Sequence, residues 1–165
     1  MVQVGRPAKD RSKVDQIDRE IVQILQADAS LSAREVAEQV GLTPTPCWRR
    51  IQNLEASGVL TARVALVDRR QVNLGVMALV EVRTNDHSRT WLDQFQAGIE
   101  EFPEIVEAYR TSGEIDYLLK VVVSDIEAYD RFYKRLIEQV DLYDVRSVFV
   151  MEEMKATTAL PLDYL

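Results

Sequence analysis

Recognition chemistry is concentrated in one short stretch of this chain, Thr43 to Gly58, which reads Thr-Pro-Thr-Pro-Cys-Trp-Arg-Arg-Ile-Gln-Asn-Leu-Glu-Ala-Ser-Gly. As a helix at about 100° per residue it gathers Cys47, Ile51 and Leu54 on one side and Arg49, Gln52 and Asn53 on the other, with Trp48 at the border. A guanidinium can grip the O6 and N7 edge of guanine, and a carboxamide the N6 and N7 edge of adenine, so this face suits the major groove of DNA. The hydroxyls of Thr43 and Thr45 stand where phosphate would pass. Thr45 reads as the N-cap, Pro46 as the first helical residue and Gly58 as the stop. An ordinary solvated helix face would use the same residues, and the preceding sequence shifts the balance towards DNA.

Leu31 to Gly41 reads as a second short helix. Ser32 and Glu35 have capping-box spacing, Leu31 and Val36 form a hydrophobic staple, Val36, Ala37 and Val40 make the buried side, and Gly41 is the C-cap. Only Leu42 to Pro44 separate it from the next helix, and two helices joined by such a turn form a helix-turn-helix. Upstream, Ile17, Ile21, Ile24 and Leu25 recur at helical spacing from Asp15 to about Ala27, with Asp15 as cap and Asp18 three residues on. The three helices make a domain over residues 14–60, small enough to gain from dimerisation.

The composition, 47% hydrophobic and 28% charged over 165 residues, is that of a globular chain. Its apolar stretches are too short for a membrane span and no leader pattern precedes them, so a cytoplasmic protein is expected. One cysteine, Cys47, and one histidine, His87, provide no internal disulfide, metal cluster or nucleophile pair, and no cofactor is expected. Cys47 reads as a small core residue, with a redox-sensitive thiol as the alternative. The net charge of −7 is uneven: residues 1–60 hold eight basic and eight acidic residues, the remainder twelve and nineteen. Residues 1–13, with Arg6, Lys9, Arg11 and Lys13, read as a flexible basic tail able to meet phosphate.

Residues 61–75 read as a linker, with a short strand over Ala62–Val67 and a turn of helix or loop over Asp68–Gly75. Beyond it, Met77–Arg83, Ile105–Thr111, Tyr117–Val123 and Val145–Met151 have strand patterns. Thr90–Phe102, capped by Thr90, and a segment opened by Ser124 and Glu127 and running to about Gln139 have helical ones. The order β-α-β-β-α-β is the ferredoxin-like arrangement, an antiparallel sheet with both helices on one face. Apolar residues on both sides of the strands call for a second subunit over the other face, or for the C-terminal segment as a shield. The fold class is therefore α+β: a winged-helix-like helix-turn-helix domain, then a ferredoxin-like domain over 76–165.

This architecture resembles the Lrp/AsnC family, the feast/famine transcription regulators, over Asp15 to Pro161. Three segments carry the likeness: Asp15–Ile21, Thr43–Leu60, and Ser112-Gly113-Glu114-Ile115-Asp116-Tyr117-Leu118, similar to the family's Gly-Asp-x-Asp-Tyr turn with Glu114 in place of its first Asp. Thr45-Pro46-Cys47-Trp48-Arg49-Arg50, Tyr129–Leu136 and Lys155–Pro161 look most like the cysteine-sensing branch. The resemblance implies a RAM/ACT-like C-terminal domain that binds an amino acid, cysteine among the candidates, at contacts between dimers. It places Thr111, Ser112, Gly113, Glu114, Asp116 and Tyr117 at that site. Backbone N–H groups around Gly113 would meet the carboxylate and Asp116 would accept from the ammonium; read without the family, the same residues make a plain hairpin turn. The expected function is sequence-specific, effector-responsive transcription regulation on double-stranded DNA by a homodimer that assembles into a tetramer or octamer. The alternative is an architectural DNA-wrapping protein without effector. An enzyme is not expected, for lack of a phosphate loop, nucleophile set or metal spacing.

Overall fold

The computed structural model describes residues 14–163, and the expected basic tail, residues 1–13, lies outside the described residues. The described residues form two compact units, one of residues 14–66 with 155–163 and the other of 67–154.

The first unit contains α1 (Gln16–Ala27), α2 (Ala33–Gln39) and α3 (Pro44–Ala56). Both capping boxes form. Asp15 accepts from the Asp18 N–H at 2.8 Å and the Asp18 carboxylate from the Asp15 N–H at 3.2 Å, while Ser32 and Glu35 exchange the equivalent pair at 3.3 and 2.7 Å. Gly41, at φ +69°, turns the chain left-handed after α2.

The third helix starts one Thr-Pro step earlier than expected. Thr43 is the N-cap and Pro44 the first residue; Pro46 then sits in the first turn, where its missing N–H would have had no intrahelical partner. The first helical bond of that end is donated by Cys47 N to Thr43 O at 3.3 Å. Gly58, at φ +80°, follows the other end as expected.

Ile21, Val22 and Leu25 of α1, Val36 and Ala37 of α2, and Cys47, Ile51 and Leu54 of α3 form the core of this unit. Leu31, Val40, Leu60 and, from the far end of the chain, Leu162 pack around it. The Gln26 carboxamide holds Leu160 by both its backbone groups, accepting from N at 2.7 Å and donating to O at 3.2 Å. Residues 155–163, expected within the C-terminal domain, thus group with the helices of the first unit. Eight buried side chains make a thin core, and an added apolar contact from outside the helices matters to it.

The expected linker strand over Ala62–Val67 does not form within the chain: residues 61–68 enter no ladder, because no strand edge of the first unit is there to receive them. Asp68–Gly75 is a hydrogen-bonded turn and not a helix. Leu74 N donates to Arg69 O at 2.8 Å, Asn73 closes the turn at φ +62°, and the Arg69 guanidinium caps the Leu74 and Gly75 carbonyls at 2.9 and 3.0 Å.

In the second unit, β1 (Val76–Arg83), α4 (Arg89–Glu100), β2 (Ile105–Arg110), β3 (Tyr117–Val123), α5 (Ile126–Gln139) and β4 (Asp144–Phe149) follow the expected order. The sheet runs β2-β3-β1-β4, antiparallel throughout, with a bulge between Ile105 and Glu107. The helix caps are Ser88, accepting from Trp91 N at 3.2 Å, and Asp125, accepting from Ala128 N at 2.7 Å. Thr90 therefore lies inside α4, and Ser124 supports the α5 cap by donating to Asp125 Oδ2 at 2.8 Å.

The helix-side core holds Ala78, Val80 and Val82 of β1 and Leu119, Val121 and Val123 of β3 under Trp91, Phe95, Phe132 and Leu136. Alternation puts Leu79, Leu118 and Val148 on the opposite face, with Leu79 paired to Val148 and the last of these 45% exposed. Among the described residues no helix is long and apolar enough to cross a membrane.

Candidate functional site

Burial of Cys47, Ile51 and Leu54 fixes which way α3 faces. Arg49, Gln52, Asn53, Thr43 and Thr45 are all exposed, and Trp48, expected at the border, is 54% exposed beside them. The Thr43 hydroxyl makes no capping bond, which leaves it available to a phosphate oxygen. Cys47 is wholly buried, and that burial pushes its thiol above the ordinary range, as suits a packing residue and not a reactive thiolate.

Three further residues, two on α3 and one in the linker, make contacts that the sequence pattern does not announce. Arg50 points away from the exposed side, and its Nη1 lies 2.7 Å from both Asp15 Oδ2 and Asp18 Oδ1. The α1 capping box thereby becomes the seat of an ion pair that ties α3 to the start of α1. The Asp15 carboxyl is held below its usual range, first by the Asp18 backbone N–H and then by Arg50. Glu55 receives Gln52 Nε2 on one oxygen at 2.9 Å and Arg63 Nη2 on the other at 3.0 Å. The Gln52–Glu55 spacing of three residues was a readable signal; Arg63, in the linker, gave none.

The second group of expected residues, Thr111 to Tyr117, forms the turn between β2 and β3. Thr111 N donates to Asp116 O at 2.9 Å, and the Thr111 hydroxyl donates to the Ile115 carbonyl, closing the turn on itself. Gly113, at φ +153°, has open space where a Cβ would project, so backbone conformation and not crowding calls for glycine there. Ser112 and Glu114 are exposed.

Two residues of this set also make contacts within the fold. The Tyr117 ring turns inward and packs 4.5 Å from Phe95 and 5.6 Å from Trp91, because strand alternation sends it to the helix side. It supports the turn from within. Asp116 Oδ2 accepts from Thr84 N at 2.9 Å, and Asp116 N donates to Val82 O at 3.0 Å, so this half-buried side chain braces the end of β1. Beside the turn, Glu114 and Ile115 line a niche with Glu81, Arg83, Asp144 and Arg146 from the ends of β1 and β4. Arg146 stands 3.9 Å from Glu81 there. The four strand residues carried no local signal in the sequence, because only sheet pairing brings them to the turn.

Comparison with known proteins matches both units. A winged helix-turn-helix DNA-binding family matches residues 14–61, and the Lrp/AsnC ligand binding domain matches residues 77–160. The chain is 47% identical over 150 residues to a glutamate uptake regulatory protein of Zymomonas mobilis, covering 91% of this chain and 92% of that one. It is 45% identical over 151 residues to the DNA-binding transcriptional activator DecR of Escherichia coli, covering 91% and 99%. Among solved structures, an AsnC family transcriptional regulator from Agrobacterium tumefaciens superposes with a TM-score of 0.89 at 54% identity, over 92% of this chain and 99% of that one. A transcriptional regulator from Neisseria meningitidis in complex with L-Met gives 0.87 at 34% identity, over 91% and 97%. With a DNA-binding helix-turn-helix and a ligand-binding sheet domain in that order, the chain belongs to the Lrp/AsnC family of transcriptional regulators.

Proposed function

We propose that α3 reads operator DNA through Arg49, Gln52 and Asn53, with Thr43, Thr45 and Trp48 beside them, and that a small amino acid bound next to the Thr111–Asp116 turn changes that grip. The observation that carries the effector half is the mixed charge of the niche: Arg83 and Arg146 suit an α-carboxylate, while Asp116 in the adjoining turn, or Glu81, Glu114 and Asp144 of the lining, suit an ammonium. Exposed N–H groups around Gly113 add donors for the carboxylate. Ile115 is the apolar member of the lining, which favours a short side chain, with cysteine among the candidates. The Neisseria relative was solved with L-Met, which supports an amino acid as the class.

In this reading the protein works in the cytoplasm as a homodimer whose subunits cover each other's open sheet faces, around Leu79, Leu118 and Val148, and the dimers join into a tetramer or octamer. Exposed Val64, Leu66 and Val67 of the linker, 68, 73 and 67% accessible, favour a further contact between copies. A two-fold dimer would read half-sites one or more helical turns apart.

Thermal denaturation against each of the twenty amino acids, with mass in solution measured alongside, tests the reading. The effector at a hundred times its Kd should add about 2.7 kcal/mol. It should then alter operator affinity by a coupling of roughly 1 to 3 kcal/mol. No stabilisation by any of the twenty removes the effector from the proposal. Equal affinity for operator and unrelated DNA would favour the architectural alternative.

A further inference from the structure

We infer that Glu55 is a specificity-determining residue of α3: its carboxylate fixes the Gln52 amide for base reading and keeps the Arg63 guanidinium from binding phosphate indiscriminately. The inference rests on the proposal that α3 faces DNA. Its basis is the bridge in which one Glu55 oxygen takes Gln52 Nε2 at 2.9 Å and the other takes Arg63 Nη2 at 3.0 Å.

A carboxamide carries two N–H groups and a carbonyl oxygen. Glu55 engages one N–H of Gln52, leaving the second N–H and the oxygen, which is the donor and acceptor pair that the N7 and N6 edge of adenine requires. The bond also opposes rotation of the amide, so that the acceptor and the remaining donor keep one order along the groove. Unrestrained, the side chain would present either order and discriminate less.

Arg63 lies five residues beyond Gly58, and its side chain is 39% accessible. A free guanidinium there would neutralise a phosphate of any sequence, strengthening non-specific and specific binding alike. Paired with Glu55, it approaches DNA already neutralised. Glu55, 37% accessible itself, adds no buried contact to the fold. As a surface ion pair it contributes little to stability. Its place beside the reading face gives it its effect.

The test uses the full chain and two probes: a duplex enriched by the wild-type protein from a randomised pool, and a shuffled duplex of the same base composition. Binding to each is measured across a potassium chloride series. Glu55→Gln should bind the shuffled duplex more tightly, lower the ratio of specific to non-specific affinity, and steepen the slope of log K against log salt by about 0.9 for each helix docked. Adding Arg63→Ala to Glu55→Gln should return the slope to the wild-type value. Glu55→Ala, which also releases Gln52, should broaden base preference at one position of a repeated selection. Unchanged slope and ratio in Glu55→Gln overturn the inference, as does a steeper slope that survives Arg63→Ala. Arg49→Ala, run alongside, separates the two levels. If it leaves binding to the enriched duplex intact, the reading of α3 falls; if it weakens that binding while Glu55→Gln is silent, only the role of Glu55 falls.

Discussion

Asp116 Oδ2 accepts the Thr84 backbone N–H at 2.9 Å, so the turn residue best suited by charge to an ammonium also joins the start of β3 to the end of β1. Thr84 is 8% exposed, and water cannot easily take the place of that acceptor. Asp116→Ala should therefore cost about 1 to 3 kcal/mol of stability, in addition to any effect on effector. Asp116→Asn keeps an acceptor and removes the charge. It should denature within about 1 kcal/mol of wild type and still lose the effector's influence on operator binding. A full effector response in Asp116→Asn would assign the ammonium to the acids of β1, β4 and Glu114.

Arg49→Ala should weaken operator binding by about 1 to 3 kcal/mol if its guanidinium reads a base, with a loss that depends on the sequence at one position of each half-site. Fluorescence anisotropy with a panel of single-base variants measures this. A loss that is uniform across the panel would make Arg49 a phosphate contact.

The Arg50 ion pair should be visible in the acid limb of stability. The Asp15 carboxyl is depressed in the folded chain, so its contribution is complete above the unfolded value of 3.8 and is lost as pH falls through the folded one. Arg50→Met should raise the Asp15 midpoint, read by carbon NMR of the carboxyl, while the Asp18 N–H keeps it partly low. Stability should then fall less steeply below about pH 4 than in wild type. An unmoved midpoint would mean that Arg50 does not hold Asp15 in solution.

Leu162→Ala should loosen the helices of the first unit and leave the sheet untouched. The side chain is half-buried, so the cost should be about 1 to 2 kcal/mol, less than for a fully enclosed leucine. Hydrogen exchange of the α1 amides is the direct measurement, with β1 and β3 amides as the internal control. Equal protection in both proteins would show that the segment from Lys155 does not brace α1.

What was legible in the sequence was local. Asp15 with Asp18 and Ser32 with Glu35 cap their helices as read, because a capping box closes within four residues. The burial of Cys47, Ile51 and Leu54 followed from periodicity, and so did the element order of the sheet domain. Near-equivalent neighbours were misplaced: Thr43 for Thr45, Ser88 for Thr90, Asp125 for Ser124. Each pair offers two oxygens within two residues, and only the final chain path selects one. Pairings across long separations were silent, as Arg50 with Asp15, Asp116 with Thr84 and Leu160 with Gln26 show. The family resemblance places Tyr117 at the effector site, while its position on β3 sends the ring to the core.

The packing of Leu162 against the helices and the bonding of the Leu160 backbone to Gln26 of α1 set an order of assembly during synthesis. The three helices leave the ribosome first, but the residues that brace α1 are translated only after the whole sheet domain. At about 5 to 20 residues per second, the helices wait several seconds for that support. Their packing is completed only once the β1–β4 segment has been made. A nascent chain carrying α3 without its sheet domain is therefore not yet the finished reader of DNA.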